Sequence, residues 1–265
     1  MTNIHPTAIV DPSAEIGEEV TVGPYCCIGA NVVIRDGVVL KSHVVLDGRT
    51  TVGKDNVFFP FSSIGHQPQD LKFDGEDSIL LIGDRNVVRE YVTINPGTKG
   101  GGMITRIGDD NLFMVGSHVA HDCIVGNHVI MANNATLAGH VVVEDFAIIG
   151  GLAAVHQFCR IGRHAMVGGM SGVEHDIIPY ASVMGGRASL SGLNLVGLKR
   201  HGYTKKEIGN FRVAYQQLFA QDGLLSERIE HVANQFRESD AIMEIIEFMR
   251  AESQRGLTQP RPRND

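Results

Sequence analysis

The sequence contains no Trp, few aromatic residues and no surplus of basic charge, and each shortage excludes a class of protein. Of its 265 residues 6% are aromatic and 31 are Gly, which favours a core of thin aliphatic layers over a cluster of large rings. The net charge of −7 argues against nucleic acid as the main partner, because phosphate binding needs concentrated Lys and Arg. No run approaches the roughly 18 apolar residues of a membrane span, and no signal peptide is apparent. We therefore expect a cytoplasmic protein without a transmembrane segment.

Cysteine is scarce as well. The four Cys residues, at positions 26, 27, 123 and 159, lack the spacing of a metal site. A disulfide framework belongs to secreted proteins, so none is expected here.

A six-residue repeat is the main signal. Steps of six from Ile4 reach Ile64 without meeting a polar residue, the register returns at Ile82, and it runs again from Ile107 to Val173. Four residues after nearly every apolar site stands a small or β-branched residue, and Cys26, Cys123 and Cys159 fall in this inward column. Three hexads close a triangular coil of 18 residues, and stacked coils pair edge to edge about 4.8 Å apart.

This pattern resembles the hexapeptide-repeat family, whose coils wind left-handed, against the usual crossover preference. We predict an all-β solenoid, a left-handed parallel β-helix, over residues 1–189, with insertions near 65–81 and 99–106. A small α-helical C-terminal domain is predicted over 190–265, with a disordered tail from about 255. Thr204 and Glu207 form a capping box that opens one helix, and two further helices are predicted over 226–236 and 239–252.

Histidines recur where the coils bend. Residues 18 apart lie one above another in a β-helix, so Gly139 stands one coil beyond His121, and Gln157 two coils beyond it. His140 and His156 are adjacent to these positions, and His118 precedes His121 by three residues. We expect the four imidazoles to converge on one edge. Asp122 can orient His121, which can then accept a proton from a hydroxyl near neutral pH.

Four segments make the resemblance more specific: residues 120–123 (AHDC), 132–140 (ANNATLAGH), 154–158 (AVHQF) and 197–200 (GLKR). Together they resemble the acyl-carrier-protein-dependent UDP-N-acetylglucosamine O-acyltransferases of lipid A synthesis. The resemblance implies transfer of a 3-hydroxyacyl chain from acyl carrier protein to the glucosamine 3-hydroxyl of UDP-N-acetylglucosamine. It also implies a homotrimer whose active sites lie between neighbouring prisms, with no metal and no other cofactor.

The resemblance assigns roles as well. His121 is the implied general base, Asp122 orients it, and the Gly139 N–H stabilises the oxyanion. Gly169 occupies the position that limits acyl-chain length, where the lack of a side chain leaves room for a longer chain. Asn95 and Val196 stand where the family has His and Glu, which alters the expected sugar and nucleotide contacts. The implied substrate-binding residues are Asp70, Lys72, His118, His140, His156, Gln157, Asn194 and Arg200.

Three other functions are compatible with parts of this pattern. A zinc-dependent hydratase of the trimeric hexapeptide type would use interfacial histidines as metal ligands, but here His121 has an adjacent acid. Another hexapeptide acyltransferase, which forms an amide on a later lipid precursor, is expected to carry an N-terminal uridine-binding domain before its repeats. A purely structural solenoid would explain neither the two polar insertions nor the histidine edge.

Overall fold

The computed structural model describes residues 1–261, and within this range short strands are followed by four helices. In chain order the strands are β1 Asn3–Ile4, β2 Ile9–Val10, β3 Glu15–Ile16, β4 Thr21–Val22, β5 Cys27–Ile28, β6 Val33–Ile34, β7 Val39–Leu40, β8 Val45–Leu46, β9 Arg49–Val52, β10 Val57–Phe58, β11 Ser63–Ile64, β12 Ile79–Ile82, β13 Val87–Val88, β14 Thr93–Ile94, β15 Ile104–Ile107, β16 Leu112–Phe113, β17 His118–Val119, β18 Ile124–Val125, β19 Ile130–Met131, β20 Thr136–Leu137, β21 Val142–Val143, β22 Ile148–Ile149, β23 Ala154–Val155, β24 Arg160–Ile161, β25 Met166–Val167, β26 Gly172–Val173, β27 Ala181–Met184 and β28 Ser189–Leu193. The helices are α1 Leu195–Arg200, α2 Lys205–Leu218, α3 Leu225–Gln235 and α4 Asp240–Arg250.

Every third strand joins the same sheet, so the strands form the three faces of a prism. Sheet A begins β1-β4-β7 and ends with β27-β28, sheet B runs from β2 to β26, and sheet C runs from β3 to β24. Strand pairs in the prism are parallel, and only β27 with β28 is antiparallel. Undisturbed coils pair residues 18 apart, as Thr21 does with Val39. The predicted left-handed parallel β-helix is confirmed.

The core fills the prism with one large and one small side chain from each hexad. Leu46, Phe58, Phe113 and Leu137 are fully buried. The three cysteines of the small column, Cys26, Cys123 and Cys159, are buried free thiols, as the repeat predicted. Burial raises the pKa of Cys123 and Cys159 to about 12, so both stay protonated and act as small apolar groups.

Both insertions leave the prism where sheet B turns into sheet C. The first separates β11 from β12, and Ser63 consequently pairs with Thr93, 30 residues later. The second separates β14 from β15, and Thr93 pairs with His118, 25 residues later. The strands β12 and β15 begin at Ile79 and Ile104, so each insertion ends a few residues earlier than predicted.

The C-terminal helices pack against the end of the prism. Helix α2 contacts β28, and its Phe211 lies against Tyr180 with ring centroids 4.9 Å apart. The predicted capping box is confirmed, because Thr204 and Glu207 exchange side-chain and backbone hydrogen bonds. Helix α1 was not predicted. Among the described residues, no helix has the length and apolar character needed to cross a membrane.

The tail was predicted to be disordered from about residue 255, and this is wrong for residues 255–261. Leu257 and Pro260 form parallel bridges with Asp176 and Leu190, and Arg255 donates a hydrogen bond to the Gln157 carbonyl (2.7 Å). The polar, Pro-containing composition of this segment suggested that the entropy lost on ordering would keep it disordered. Backbone pairing of this kind compensates for that loss. The rest of the predicted tail, residues 262–265, lies outside the described residues.

Candidate active site

The candidate site forms where sheet B turns into sheet C on successive coils. Asp122, His140 and Phe158 occupy this corner on three neighbouring coils, each with a positive φ between 60° and 67°. The two insertions leave the same corner on the preceding coils. A cavity of about 880 Å³ lies between the insertions and the corner. Its lining residues are Gln69, Asp70, Leu71, Lys72, Glu76, Thr98, Lys99, Gly100, His121, His140, Gln157 and Phe158.

His121 and Asp122 form a hydrogen-bonded pair in this cavity. The His121 Nδ1 lies 2.8 Å from the Asp122 Oδ2. The imidazole is 12% exposed and the carboxylate is fully buried. An ionised carboxylate can only accept, so Nδ1 carries the proton and the neutral ring keeps Nε2 as a proton acceptor. This tautomer is the one that a general base needs.

Three donors hold the Asp122 carboxylate. The Thr98 N–H donates to Oδ1 (2.9 Å) and the Thr98 hydroxyl donates to Oδ2 (2.6 Å), beside the bond from His121. Burial alone raises the pKa of the Asp122 carboxyl, but the hydrogen bonds from His121 and Thr98 outweigh it and hold the pKa below its usual range. Asp122 is therefore ionised at neutral pH.

Gly139 supports the His121 ring from the next coil. A Cβ built at Gly139 would lie 2.5 Å from the His121 Cε1, so a side chain there would displace the ring. Within residues 1–261 the Gly139 N–H, at the first position of its turn, has no hydrogen-bond acceptor. A free N–H beside the proposed base can stabilise a developing oxyanion.

His140 packs edge-on against His121, with ring centroids 5.1 Å apart, and stacks on Phe158 at 4.5 Å. Burial lowers the pKa of the His140 imidazole despite the opposing charge of Asp122. Donor atoms of His121, Asp122 and His140 lie within 4.8 Å of one another and could hold a cation. Both Asp122 oxygens already accept hydrogen bonds, which favours an orienting carboxylate over a metal ligand.

The four predicted histidines do not all face the cavity. His121 and His140 line it, whereas His118 and His156 do not. The His118 Nδ1 instead bonds the hydroxyl of Thr93 on the adjacent strand (2.7 Å), and burial lowers the pKa of His118. His156 is exposed, and its Nδ1 lies 3.3 Å from the Gln157 carbonyl. Counting hexads placed these residues near the corner, but it did not show which way each side chain points.

The predicted substrate-binding residues Asn194 and Arg200 lie at another corner of the prism, together with Val196. Asn194, Val196 and Arg200 line a largely apolar cavity of about 590 Å³ beside His164, where sheet C turns into sheet A. Asn194 caps helix α1 through its Oδ1, which accepts from the Gly197 N–H (2.9 Å). Its Nδ2 donates to the His164 carbonyl (3.0 Å). One chain therefore does not bring these residues together with His121.

Gly169 and Asn95 also lie outside the cavity. Gly169 is exposed in a turn, and a Cβ there would meet the Gly151 carbonyl at 3.2 Å. Asn95 is buried, and its Nδ2 donates to the carbonyls of His66 and Gln67 at the base of the first insertion (3.0 and 3.4 Å). The Asn95 side chain thus anchors the first insertion to the prism.

Several residues of this site were missed in the sequence, and two of them hold it together. Thr98 holds Asp122, and Glu76 joins the insertions by accepting the Lys99 N–H (2.9 Å). Both stand in segments where the hexad register is interrupted, so spacing carries no information on their partners. The polar character of the insertions was the only available signal.

Comparison with known proteins gives consistent matches along the chain. Residues 176–258 match the family described as UDP N-acetylglucosamine O-acyltransferase, domain 2. Residues 104–139 match the bacterial transferase hexapeptide (six repeats), and residues 4–98 match the GMPPB C-terminal domain.

Relatives that match most of the chain are named for the same enzyme activity. The acyl-[acyl-carrier-protein]–UDP-N-acetylglucosamine O-acyltransferase of Caulobacter vibrioides is 49% identical over 97% of this chain and 98% of its own length. The protein of the same name from Paracoccus denitrificans is 52% identical over 78% of each chain. The crystal structure of UDP-N-acetylglucosamine O-acyltransferase from Moraxella catarrhalis superposes with a TM-score of 0.93 at 42% identity, covering 97% of this chain and 99% of that one.

Proposed function

The chain belongs to the acyl-[acyl-carrier-protein]–UDP-N-acetylglucosamine O-acyltransferase family, and we propose that it performs this transfer with His121 as the general base. The enzyme is an O-acyltransferase of lipid A biosynthesis, in which this reaction is the first step. The acyl donor is acyl-acyl carrier protein and the acceptor is UDP-N-acetylglucosamine. Family membership thus favours acyl transfer over the zinc-dependent hydratase.

One observation carries the assignment of the base. The His121 imidazole sits in the cavity with Nδ1 bonded to a buried carboxylate, which leaves Nε2 free. We infer that Nε2 removes the proton of the glucosamine 3-hydroxyl as that oxygen attacks the thioester carbonyl. The Gly139 N–H stabilises the oxyanion of the tetrahedral intermediate. When this intermediate collapses, it expels the thiolate of the carrier protein, which takes up the proton from His121.

Binding of the acceptor is assigned to residues around the same cavity. Asp70 and Lys72 of the first insertion line it with His140 and Gln157. The Lys72 N–H donates to the Asp70 Oδ1 (3.0 Å), which fixes the fold of this part of the loop. We propose that these side chains contact the sugar. The acyl chain then extends toward Gly169, where no side chain blocks a long hydrocarbon.

We propose that the active enzyme is a homotrimer. His121 lines one cavity, whereas Asn194 and Arg200 line another cavity at a different corner of the same prism. We propose that a single nucleotide sugar contacts both sets because the second set comes from a neighbouring copy. We propose that His118 and His156, which do not line the His121 cavity, hold the sugar and acyl chain in the assembled enzyme. The cytoplasmic location and the lack of a cofactor remain predictions from the sequence.

The test is transfer of a 3-hydroxyacyl chain from acyl carrier protein to UDP-N-acetylglucosamine. We expect the wild type to be active and His121→Ala to lose roughly 10²–10⁴-fold in kcat, the range of a general base. His231→Ala removes an exposed imidazole from helix α3 and should keep full activity.

Two results would contradict the proposal at different levels. Wild-type protein that transfers no 3-hydroxyacyl chain of any length rules out the reaction. A His121→Ala variant within tenfold of wild type rules out His121 as the base while leaving the reaction in place.

A further inference from the structure

Asp122 has more hydrogen bonds than orientation of an imidazole requires. Besides the His121 ring, it contacts Thr98 twice, once through the backbone N–H and once through the hydroxyl. Its own N–H donates to the Thr105 hydroxyl (2.8 Å). The 2.6 Å bond from the Thr98 hydroxyl ends on Oδ2, the same oxygen that accepts from His121.

Thr98 is held in place by the second insertion. It is 3% exposed, and its carbonyl accepts from the N–H groups of Gly101 and Met103 (3.0 and 2.9 Å), which closes a tight loop. Gly101 lies directly on the carboxylate, because a Cβ there would be 2.0 Å from the Asp122 Cγ. The loop therefore excludes water from Asp122 and presents Thr98 as a fixed donor.

We propose that Thr98 is a positioning residue for the acyl transfer and acts on His121 through Asp122. The backbone N–H fixes Oδ1 and the hydroxyl fixes Oδ2, so the carboxylate cannot rotate about its Cβ–Cγ bond. This sets the direction in which Oδ2 meets the His121 Nδ1, and hence the direction of Nε2. The proposal rests on the role of His121 in the proposed function.

Substitution of the hydroxyl tests the proposal. Thr98→Val keeps the size and the backbone N–H but removes one charge-assisted hydrogen bond, and we expect kcat to fall about 10- to 100-fold. The KM for UDP-N-acetylglucosamine should change by less than about twofold, because Thr98 holds the base instead of the substrate. Thr98→Ser restores the hydroxyl and should recover kcat to within roughly threefold of wild type.

A double-mutant cycle separates positioning from general loosening. In an Asp122→Asn background, Thr98→Val should cost less than about twofold in kcat, since its effect passes through the carboxylate. Thr105→Val is the matched control: it removes another buried hydroxyl beside Asp122, one whose hydrogen-bond partner within residues 1–261 is the Asp122 backbone N–H alone. We expect it to lower the thermal midpoint while kcat stays within about threefold of wild type.

Several outcomes overturn the proposal. They are an unchanged kcat in Thr98→Val, a loss that Thr98→Ser does not repair, an equal loss in the Asp122→Asn background, and an equal loss in Thr105→Val. Wild-type protein that lacks transferase activity would instead refute the proposed function.

Discussion

The corner residues of this prism adopt a backbone conformation that most side chains avoid. Asp122, His140 and Phe158 have positive φ angles, which cost about 1–2 kcal/mol per residue outside Gly. The stacked strands fix the chain direction at each corner and so impose this conformation coil after coil. As a result the side chains stand in a column, where the His140 and Phe158 rings stack at 4.5 Å. Residue identity at this position of the hexad and at the position before it thus decides the chemistry of an edge.

His164 is a buried imidazole in an equivalent column at another corner. It is 5% exposed and lies between Phe146 and Tyr180. Burial, assisted by the nearby His201 and Arg163, lowers the pKa of His164 to about 4. Below pH 6.5 the unfolded chain takes up a proton that the folded chain accepts only near pH 4. The contribution of His164 to the free energy of unfolding should therefore fall by about 1.4 kcal/mol per pH unit in this window.

His164→Phe removes this titration and retains the ring stack. Urea denaturation of wild type and variant at several pH values should show a stability difference that grows in favour of the variant from pH 6.5 down to pH 4. His128→Phe, which replaces the exposed ring of the same column, should show no such growth. A difference that stays constant with pH would contradict the prediction.

Both insertions begin at the corner that carries His121, which is why two loops far apart in sequence enclose one cavity. The first contributes Asp70 and Lys72, and the second contributes Thr98. Glu76 joins them, because its carboxylate accepts the N–H groups of Asp74 and Lys99 (2.8 and 2.9 Å). These bonds, that with Lys99 foremost, hold the pKa of the Glu76 carboxyl below its usual range.

We expect Glu76→Ala to loosen both loops while the prism stays intact. The KM for UDP-N-acetylglucosamine should rise roughly three- to tenfold, since charge-assisted bonds to the backbone are lost. Amide hydrogen exchange should accelerate in residues 66–78 and 99–103. Asp77→Ala removes the neighbouring carboxylate, which pairs with Arg49, and should leave KM unchanged. Equal effects from both substitutions would show that Glu76 has no special role.

On the scale of the whole molecule, the proposed site is incomplete in one chain. The cavities that hold His121 and Arg200 occupy different corners. A third corner, where sheet A turns into sheet B, exposes large apolar side chains over most of the prism length. They are Tyr25, Phe61, Tyr91, Leu152 and Met170, each between 49% and 73% exposed. Apolar surface of this extent favours association with other copies.

Mixed oligomers test the shared site. His121→Ala and Arg200→Ala should each be nearly inactive alone. When the two chains are co-expressed in equal amounts, about one quarter of the sites in a cyclic trimer combine an intact His121 with an intact Arg200 of the neighbour. Activity should therefore recover to roughly that fraction, with a trimer in analytical ultracentrifugation. No recovery in verified mixed trimers would place both residues in the same chain's site.

The sequence by itself determined the prism, the inward cysteines and the corner that carries His121, Asp122 and His140. It could do so because parallel coils pair residues at a constant spacing, which turns sequence distance into position. It also gave the capping box at Thr204, since that motif is local.

Only the tertiary structure decided what depends on contacts outside the hexad register. Thr98 reaches Asp122 from an insertion that shifts the pairing to 25 residues. His118 and His156 turn away from the cavity, Asn194 caps a helix, and the tail pairs with Asp176. In each case folding brings several possible hydrogen-bond partners close to one polar group. Spacing along the chain does not show which of these partners the group will bond.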